Sequence, residues 1–164
     1  MFRRRPWYDF PFDGNFAHGK EANVKIWEME GGARLLVRVD RGEEMMEALR
    51  AVAREKKVEA ARVTGIGALR DMTLGYFDLD RKEYVRGELS GSWELLSLSG
   101  NLSLRDGEPI PHIHVIVGDA GLNVRGGHLF SGTVSVTGEI FIDRLPAPLH
   151  REMDPEVSLP LLDR

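Results

Sequence analysis

The sequence contains no cysteine, which excludes disulfides, thiolate nucleophiles and metal sites that depend on cysteine ligands. A metal site would have to use histidine, carboxylates or water. Long apolar runs are also missing, since no stretch approaches the roughly eighteen apolar residues of a membrane span. The opening residues MFRRRPWYDF carry charge but lack the apolar region of a secretory signal. These features favour a cytoplasmic protein that does not use a membrane.

The chain also lacks an excess of positive charge. Its 22 lysine and arginine residues are outnumbered by 26 aspartate and glutamate residues, giving a formal net charge of −4. Nucleic-acid affinity rests on many contacts between basic side chains and phosphate, so this balance opposes a surface that attracts nucleic acid everywhere. A local basic patch is still compatible with it. The length of 164 residues suits one globular domain.

Aromatic residues are concentrated at the start of the chain. Six of the 13 (7 Phe, 3 Trp and 3 Tyr in all) lie within the first sixteen positions, where two prolines and a glycine interrupt any periodic element. We assign residues 1–20 to an arm whose aromatic side chains pack on the domain or on a neighbouring subunit. Its three successive arginines, Arg3–Arg5, could contact phosphate but are more typical of a solvated surface.

The segment from 21 to 145 is predicted to form one domain of the α+β class. A single main helix is indicated by apolar residues that recur at intervals of three and four, and Asp40 followed by Glu43 resembles a capping box before it. The helical residues are Met45, Met46, Leu49, Val52 and Ala53. The runs that follow are rich in β-branched, leucine and aromatic residues, which predicts a mostly antiparallel sheet flanked by the helix. The predicted strands are EAARVTGIGAL, MTLGYFDL, SWELLSLSGNLSL, IPHIHVIVG and HLFSGTVSVTGEIFI.

Two further segments are assigned from their glycines and prolines. Gly65 and Gly67 lack the third glycine of a nucleotide-binding loop, so a bulge or tight bend is the better interpretation. Residues 146–164 contain four prolines and no periodic pattern. We expect this tail to be irregular and to pack on the domain or on a neighbour.

Three of the five histidines fall in the stretch PHIHVIVGDAGLNVRGGHLFSG. On a strand, His112 and His114 would project from the same face. His128, after Gly126 and Gly127, would come beside them if two strands pair as a hairpin. Three imidazoles would leave a tetrahedral zinc ion one open position, the arrangement of catalytic zinc sites. Hydrogen-bonded imidazoles without a metal are the alternative.

Two carboxylates could assist such a site. Asp119 lies in the intervening turn, where it could complete the coordination shell or orient an imidazole, although turn aspartates more often bond their own backbone. Glu94 would share a strand face with Ser92 and Leu96 and could be a proton acceptor, a ligand or an ion-pair partner. Exposure on the sheet is the alternative for Glu94.

Three blocks of the sequence resemble the PPC domain, the plants and prokaryotes conserved domain. They are GSWELLSLSGNLS, HIHVIVGD and GGHLFSGTVSVTGEIFI, and weaker similarity extends from about Ala33 to HREMDP. The resemblance implies an α+β homotrimer and places the histidines and Gly126–Gly127 in motifs of a family with metal-containing members. The plant motif G-R-F-E-I-L falls on Gly91–Leu96, with Glu94 retained but Ser92 and Trp93 replacing arginine and phenylalanine.

The AT-hook of the plant members is not matched. Its R-G-R-P core meets only R-R-R-P at Arg3–Pro6, where arginine replaces the glycine that lets the backbone enter the minor groove. The resemblance is therefore to the stand-alone prokaryotic type, and DNA binding rests on family analogy.

Three functions remain open from the sequence. The favoured one is a homotrimer with a divalent metal, zinc by preference, and a regulatory or ligand-binding role without turnover. A small ligand could then bind at the metal. The second is a DNA-binding protein. The third is a metal-dependent hydrolase or lyase that uses a metal-bound water, for which Glu94 and Asp119 are the candidate bases.

Overall fold

The computed structural model describes residues 22–163, so the predicted aromatic arm at 1–20 lies outside the described residues. Eight strands, one α-helix and a short 3-10 turn at Glu30–Gly32 follow one another along this part of the chain. They are β1 (Val24–Met29), β2 (Arg34–Asp40), α1 (Met45–Glu55), β3 (Ala61–Asp78), β4 (Glu83–Arg105), β5 (Glu108–Gly118), β6 (Val124–Arg144), β7 (His150–Asp154) and β8 (Leu159–Asp163). The prediction of a mostly antiparallel sheet with one main helix is confirmed.

All eight strands belong to one sheet with the order β1-β2-β6-β3-β4-β7-β8, and β5 pairs with both β4 and β6. The pairs β3–β4, β4–β5, β5–β6 and β6–β3 are all antiparallel, so these four strands form a closed circuit. Among the described strands, the one parallel contact joins β4 to β7 at Leu104 and His150. Closing the circuit brings the first half of β6 between β3 and β5.

Helix α1 packs its apolar face against β5 and β6. The core includes the periodic helix residues together with alternate residues of the strands, such as Ile113 and Val115 of β5. This alternation turns the even-numbered side chains of β5 to the opposite face of the sheet. The histidines of β5 are therefore held outside the core that α1 covers.

The helix begins differently from the prediction. Asp40 pairs with Thr137 in the ladder between β2 and β6, five residues before the helix begins at Met45, and its carboxylate accepts a hydrogen bond from Arg38 instead. The N-cap is Glu44, whose carboxylate accepts hydrogen bonds from the backbone N–H of Glu47 at 2.7 Å and of Gly132 at 2.9 Å. Glu44 thereby ties the start of α1 to β6, and burial raises the pKa of its carboxyl group.

Two predicted strand runs, EAARVTGIGAL and MTLGYFDL, form parts of the single long strand β3. The pairing of β3 with β4 shifts register between Gly65 and Gly67 and again between Arg70 and Met72. The bulge predicted at the glycines is thus confirmed. Bulges bend a long strand without ending it, which is how β3 can pair with β4 along its full length.

The tail from residue 146 differs from the expected irregular segment. It contains the antiparallel hairpin of β7 and β8, which the sheet order places at one edge. Pro160 lies within β8 and pairs with Met153. Proline is tolerated there because an edge strand needs ladder hydrogen bonds on one side only. No helix within residues 22–163 is long and apolar enough to cross a membrane.

Candidate metal centre

The structure brings the three predicted histidines together on one side of the sheet. His112 and His114 are alternate residues of β5, and His128 of β6 lies directly across from His114. The ring centroids are 5.2 Å apart for His112 and His114, 5.1 Å for His112 and His128, and 5.5 Å for His114 and His128. The hairpin predicted from the sequence thus produces the cluster.

Each ring offers one nitrogen to a group in which all three atoms lie within 4.8 Å of one another. A tetrahedral zinc ion with bonds of about 2.0–2.1 Å would hold its nitrogen ligands roughly 3.3 Å apart. Small rotations of the three side chains would close this difference. The residues present therefore fit a small divalent cation with three imidazole ligands.

Two of the imidazoles are held in the neutral form that metal binding requires. Burial, followed by the charges of Arg151 and His114, lowers the pKa of His112 to about 4. Burial is again the largest effect on His128, and the positive charges around it help to lower its pKa to about 3. Protons therefore do not compete with a metal for these two rings near neutral pH.

One buried histidine nitrogen is left without a hydrogen-bond partner among the described residues. Nδ1 of His128 is buried and has no hydrogen-bond partner within the described part of the chain. The ring is packed against Tyr84 and Phe130, with centroids 5.1 Å and 4.7 Å away. An unpaired buried nitrogen is costly, and coordination to a cation is one way to satisfy it.

The partner of His112 fixes its tautomer in the metal-free protein. Nη2 of Arg151, on β7, lies 3.2 Å from Nδ1 of His112. A guanidinium can only donate, so Nδ1 accepts and the proton of the neutral ring lies on Nε2. A cation at Nδ1 would take the place of this hydrogen bond.

Strand β4 supports the site from the other side of β5. Asn101 lies directly across from His112, and both Asn101 and Ser103 accept hydrogen bonds from Arg151, at 2.9 Å and 2.8 Å. The residue before Asn101 on β4 is Gly100, where a Cβ would lie 2.0 Å from the carbonyl oxygen of His112. Only glycine allows β4 to lie this close to the backbone of His112.

The predicted accessory carboxylates are not part of the histidine cluster. Oδ1 of Asp119 accepts hydrogen bonds from the backbone N–H groups of Gly121 and Asn123, which lower its pKa and hold the turn between β5 and β6. Glu94 is exposed and pairs with Gly118, four residues along β5 from His114. The structure assigns Asp119 to the turn and leaves Glu94 on the surface.

The glycines of the predicted motif act within strands. Gly126 and Gly127 lie inside β6, because the turn is formed by residues 119–123. A Cβ on Gly127 would lie 2.8 Å from the carbonyl oxygen of Gly75, and one on Gly126 would lie 2.9 Å from that of Val115. The pair lets β6 approach β3 and β5 just before His128.

The remaining motif residues, and a fourth histidine, lie elsewhere. Gly91 has a positive φ of 77° and donates its N–H to Asp71, beside the second irregularity of β3. Trp93 is partly buried against the core and donates its indole N–H to the carbonyl of Ser90. His150 is exposed on β7. These positions shape β4 or the surface and take no part in the histidine cluster.

Two residues beside the histidines were not singled out from the sequence. Arg151 comes from the tail and Tyr84 from the start of β4, and only long-range pairing places them here. HREMDP belongs to the weaker family similarity, but nothing local to it indicates a contact with His112. Because the tail is predicted to be irregular, the sequence does not place Arg151 beside His112.

A cavity of about 370 Å³ adjoins the histidines. Its walls come from α1, β4, β5, β6 and the C-terminal hairpin, and they include His112, His128, Arg151, Met46, Phe130 and Leu161. This volume falls at the lower end of the range of about 300–1,000 Å³ that is typical of small-molecule sites. The cavity therefore offers a ligand access to two of the three imidazoles.

Comparison with known proteins gives one matching family. The sequence model of the Plants and Prokaryotes Conserved (PCC) domain matches residues 28–146. No functionally curated protein is significantly similar to the chain.

Several crystal structures share the fold. A plant- and prokaryote-conserved (PPC) protein from Pyrococcus horikoshii is 34% identical, with 86% of this chain and 94% of that chain covered at a TM-score of 0.75. A metal-containing protein from Archaeoglobus fulgidus is 36% identical, with 88% and 99% covered at a TM-score of 0.76. A candidate DNA-binding protein from Bacteroides thetaiotaomicron is 26% identical, with 85% and 96% covered at a TM-score of 0.81.

Proposed function

The chain belongs to the Plants and Prokaryotes Conserved domain family, and on that basis we propose that it is a homotrimeric metal-binding protein with a regulatory or ligand-binding role. The observation that carries this proposal is the convergence of His112, His114 and His128 beside a cavity. The similarity to a metal-containing archaeal protein supports it.

Zinc is the cation we propose for the site. Imidazole nitrogen suits zinc among the common divalent ions, and three such ligands without cysteine leave one coordination position open. When bound, zinc would act as a Lewis acid toward a ligand atom that enters from the cavity. The chain itself supplies two neutral imidazoles, and the cation would replace the hydrogen bond from Arg151 to Nδ1 of His112.

Metal content tests this proposal. Protein purified without a histidine tag should contain close to one zinc or other transition metal ion per chain by plasma mass spectrometry, and His112→Ala with His114→Ala should abolish it. His150→Ala is the matched control, because it removes an exposed histidine outside the cluster. Native protein that stays free of metal after incubation with zinc would overturn the metal site.

Trimer formation is proposed from the family resemblance and is supported by exposed apolar side chains on one part of the sheet. Leu96, Ile116 and Val124 are each about half exposed, on neighbouring stretches of β4, β5 and β6. Ile116 lies on the same face of β5 as His114, which is exposed as well. A subunit that covers this patch would come close to the metal ligands.

DNA binding is the second candidate, favoured by the likeness to a candidate DNA-binding protein. The net charge of −4 opposes it. Fluorescence anisotropy with labelled duplexes at about 50 and 200 mM salt would decide, since true phosphate contacts make affinity fall steeply with salt. Tight, salt-dependent binding with a preference for one sequence would favour DNA as the ligand, and no binding at the lower salt concentration would exclude it.

A further inference from the structure

Arg151 makes four hydrogen bonds, and all of its acceptors are neutral. Nε donates to Oγ of Ser103 at 2.8 Å, Nη1 donates to the carbonyl of Pro160 at 2.8 Å, and Nη2 donates to Oδ1 of Asn101 at 2.9 Å and to Nδ1 of His112. A guanidinium has five N–H groups. One N–H on Nη1 has no acceptor among the residues that the structure describes.

The other arginines around the cavity have carboxylate partners. Arg50 pairs with Glu47, and Arg54 pairs with Glu108 at 2.9 Å. Arg105 lies 3.6 Å from Asp106. Arg151 differs from all of them, because no carboxylate within residues 22–163 forms an ion pair with it.

This positive charge is also partly removed from water. Arg151 is half-buried, and burial lowers its pKa, an effect that Tyr84 only partly offsets. A buried charge without a counter-ion is unfavourable, so buried charges in proteins are normally paired. The guanidinium is held in place by four bonds yet still lacks an anion.

The walls around Arg151 restrict the kind of anion that fits. Ile110, Phe130 and Leu161 line the same cavity, and its volume of about 370 Å³ suits a small molecule. A single unpaired guanidinium balances one negative charge better than two. Its one free N–H, on Nη1, can donate a charge-assisted hydrogen bond to an oxygen of a carboxylate.

We propose that this cavity binds a small organic carboxylate, whose carboxylate group pairs with Arg151 and whose apolar part lies against Ile110, Phe130 and Leu161. This inference names the ligand class for the ligand-binding role proposed above and rests on that role. It does not depend on the metal, because the contacts of Arg151 and the apolar walls come from the chain itself.

Calorimetric titration of the EDTA-treated protein tests the proposal with butanoate, hexanoate and benzoate, each compared with its neutral amide. At least one carboxylate should bind tenfold or more tightly than its amide. Arg151→Gln should abolish this preference, whereas the matched variant Arg50→Gln should retain it, because Arg50 already has a carboxylate partner. Thermal melting of Arg151→Gln and Arg50→Gln checks that both variants fold.

Three results would each overturn the proposal. They are equal binding of acid and amide, no binding of any of the three acids, and an unchanged preference in Arg151→Gln. Failure of the metal site is a separate result, since it appears in metal content and not in titrations of EDTA-treated protein. Native protein without metal but with the acid preference would contradict only the metal site. Native protein with metal but without the preference would contradict only the carboxylate.

Discussion

The buried Nδ1 atom of His128 places a polar atom among aromatic neighbours with nothing to accept or donate to it in the described structure. Leaving such an atom unpaired generally costs about 1–3 kcal/mol of folding free energy. The unpaired nitrogen of His128 therefore favours metal binding and lowers the stability of the metal-free protein.

Substituting His128 by Phe should reverse that balance. The metal-free variant should be more stable than the native protein by about 1 kcal/mol, because the unpaired nitrogen is replaced by carbon. Its stability should no longer respond to zinc. Urea unfolding with EDTA and with zinc measures both effects.

His150→Phe, at an exposed position, is the control and should change stability by no more than about 0.5 kcal/mol. If His128→Phe is clearly less stable than native protein in EDTA, Nδ1 of His128 has a hydrogen-bond partner and the argument from its unpaired state is wrong.

At the level of residues, the sequence predicted the histidines because their signal is local. The spacing of His112 and His114 predicts a shared strand face, and only one hairpin is needed to add His128. Arg151 gives no such signal, since it reaches His112 across 39 residues and through the pairing of the tail with β4. Long-range pairing of this kind is not encoded in any short motif.

Among the structural elements, the close approach of β4 and β5 at Gly100 sets the position of His112. Gly100→Ala should destabilise the protein by about 1–3 kcal/mol, the usual range for overpacking, because its Cβ would collide with the backbone of His112. The same shift of β5 should weaken metal retention. Urea unfolding and metal content measure the two effects.

Gly87→Ala is the matched control on the same strand, since a Cβ there meets nothing within 4 Å. It should leave stability within about 0.5 kcal/mol of the native value and leave metal content unchanged. Similar behaviour of the two variants would show that β5 can move away from β4 without loss.

Asp143 joins three strands through its carboxylate. It lies on β6 directly across from Arg34 of β2 and Arg62 of β3, and it accepts hydrogen bonds from both. The hydrogen bonds from Arg62 and Arg34 lower the pKa of its carboxyl group below the usual value of 3.8. The lowered pKa means that the ionised form stabilises the folded protein.

Asp143→Asn should therefore destabilise the protein by about 1 kcal/mol at pH 7. The contribution of Asp143 is fully present above its unfolded pKa and is lost as pH falls through the lower folded pKa, so the difference between native protein and variant should begin to shrink only below about pH 4. Urea unfolding between pH 3 and pH 7 measures this. Asp80→Asn, in the turn after β3, is the control, and a difference that stays constant with pH would contradict the role of the charge.

The elements themselves were only partly predictable. The period of the apolar residues predicted α1 correctly, but its cap was misplaced because Asp40 is committed to β2. The sequence predicts two strands where β3 is one, and the predicted break coincides with the irregularity between Arg70 and Met72. The prediction fails there because an irregularity within a strand and a turn between strands have similar local composition. The hairpin of the tail is not predicted, because a strand that contains Pro160 is acceptable only at the edge of a sheet. The sequence does not show which strands lie at an edge.

For the whole molecule, the proposed trimer predicts a mass of three times the 18.4 kDa chain by light scattering. Ile116→Arg should lower this mass, because a charge would be placed in the apolar patch of Leu96, Ile116 and Val124. Leu79→Arg is the control at an exposed apolar residue outside the patch, in the turn after β3. A monomeric native protein, or an unchanged mass in Ile116→Arg, would contradict this interface.

The hairpin of β5 and β6 also bears on the order in which the protein folds. His114 and His128 are brought together by neighbouring strands, whereas Arg151 must first return from far along the chain. Hairpins form in about 1–10 μs, and contacts between distant segments form more slowly because a larger loop must close. We therefore expect the imidazoles to meet early and the guanidinium to arrive late. A cation present during synthesis would then be captured before the cavity beside it is complete.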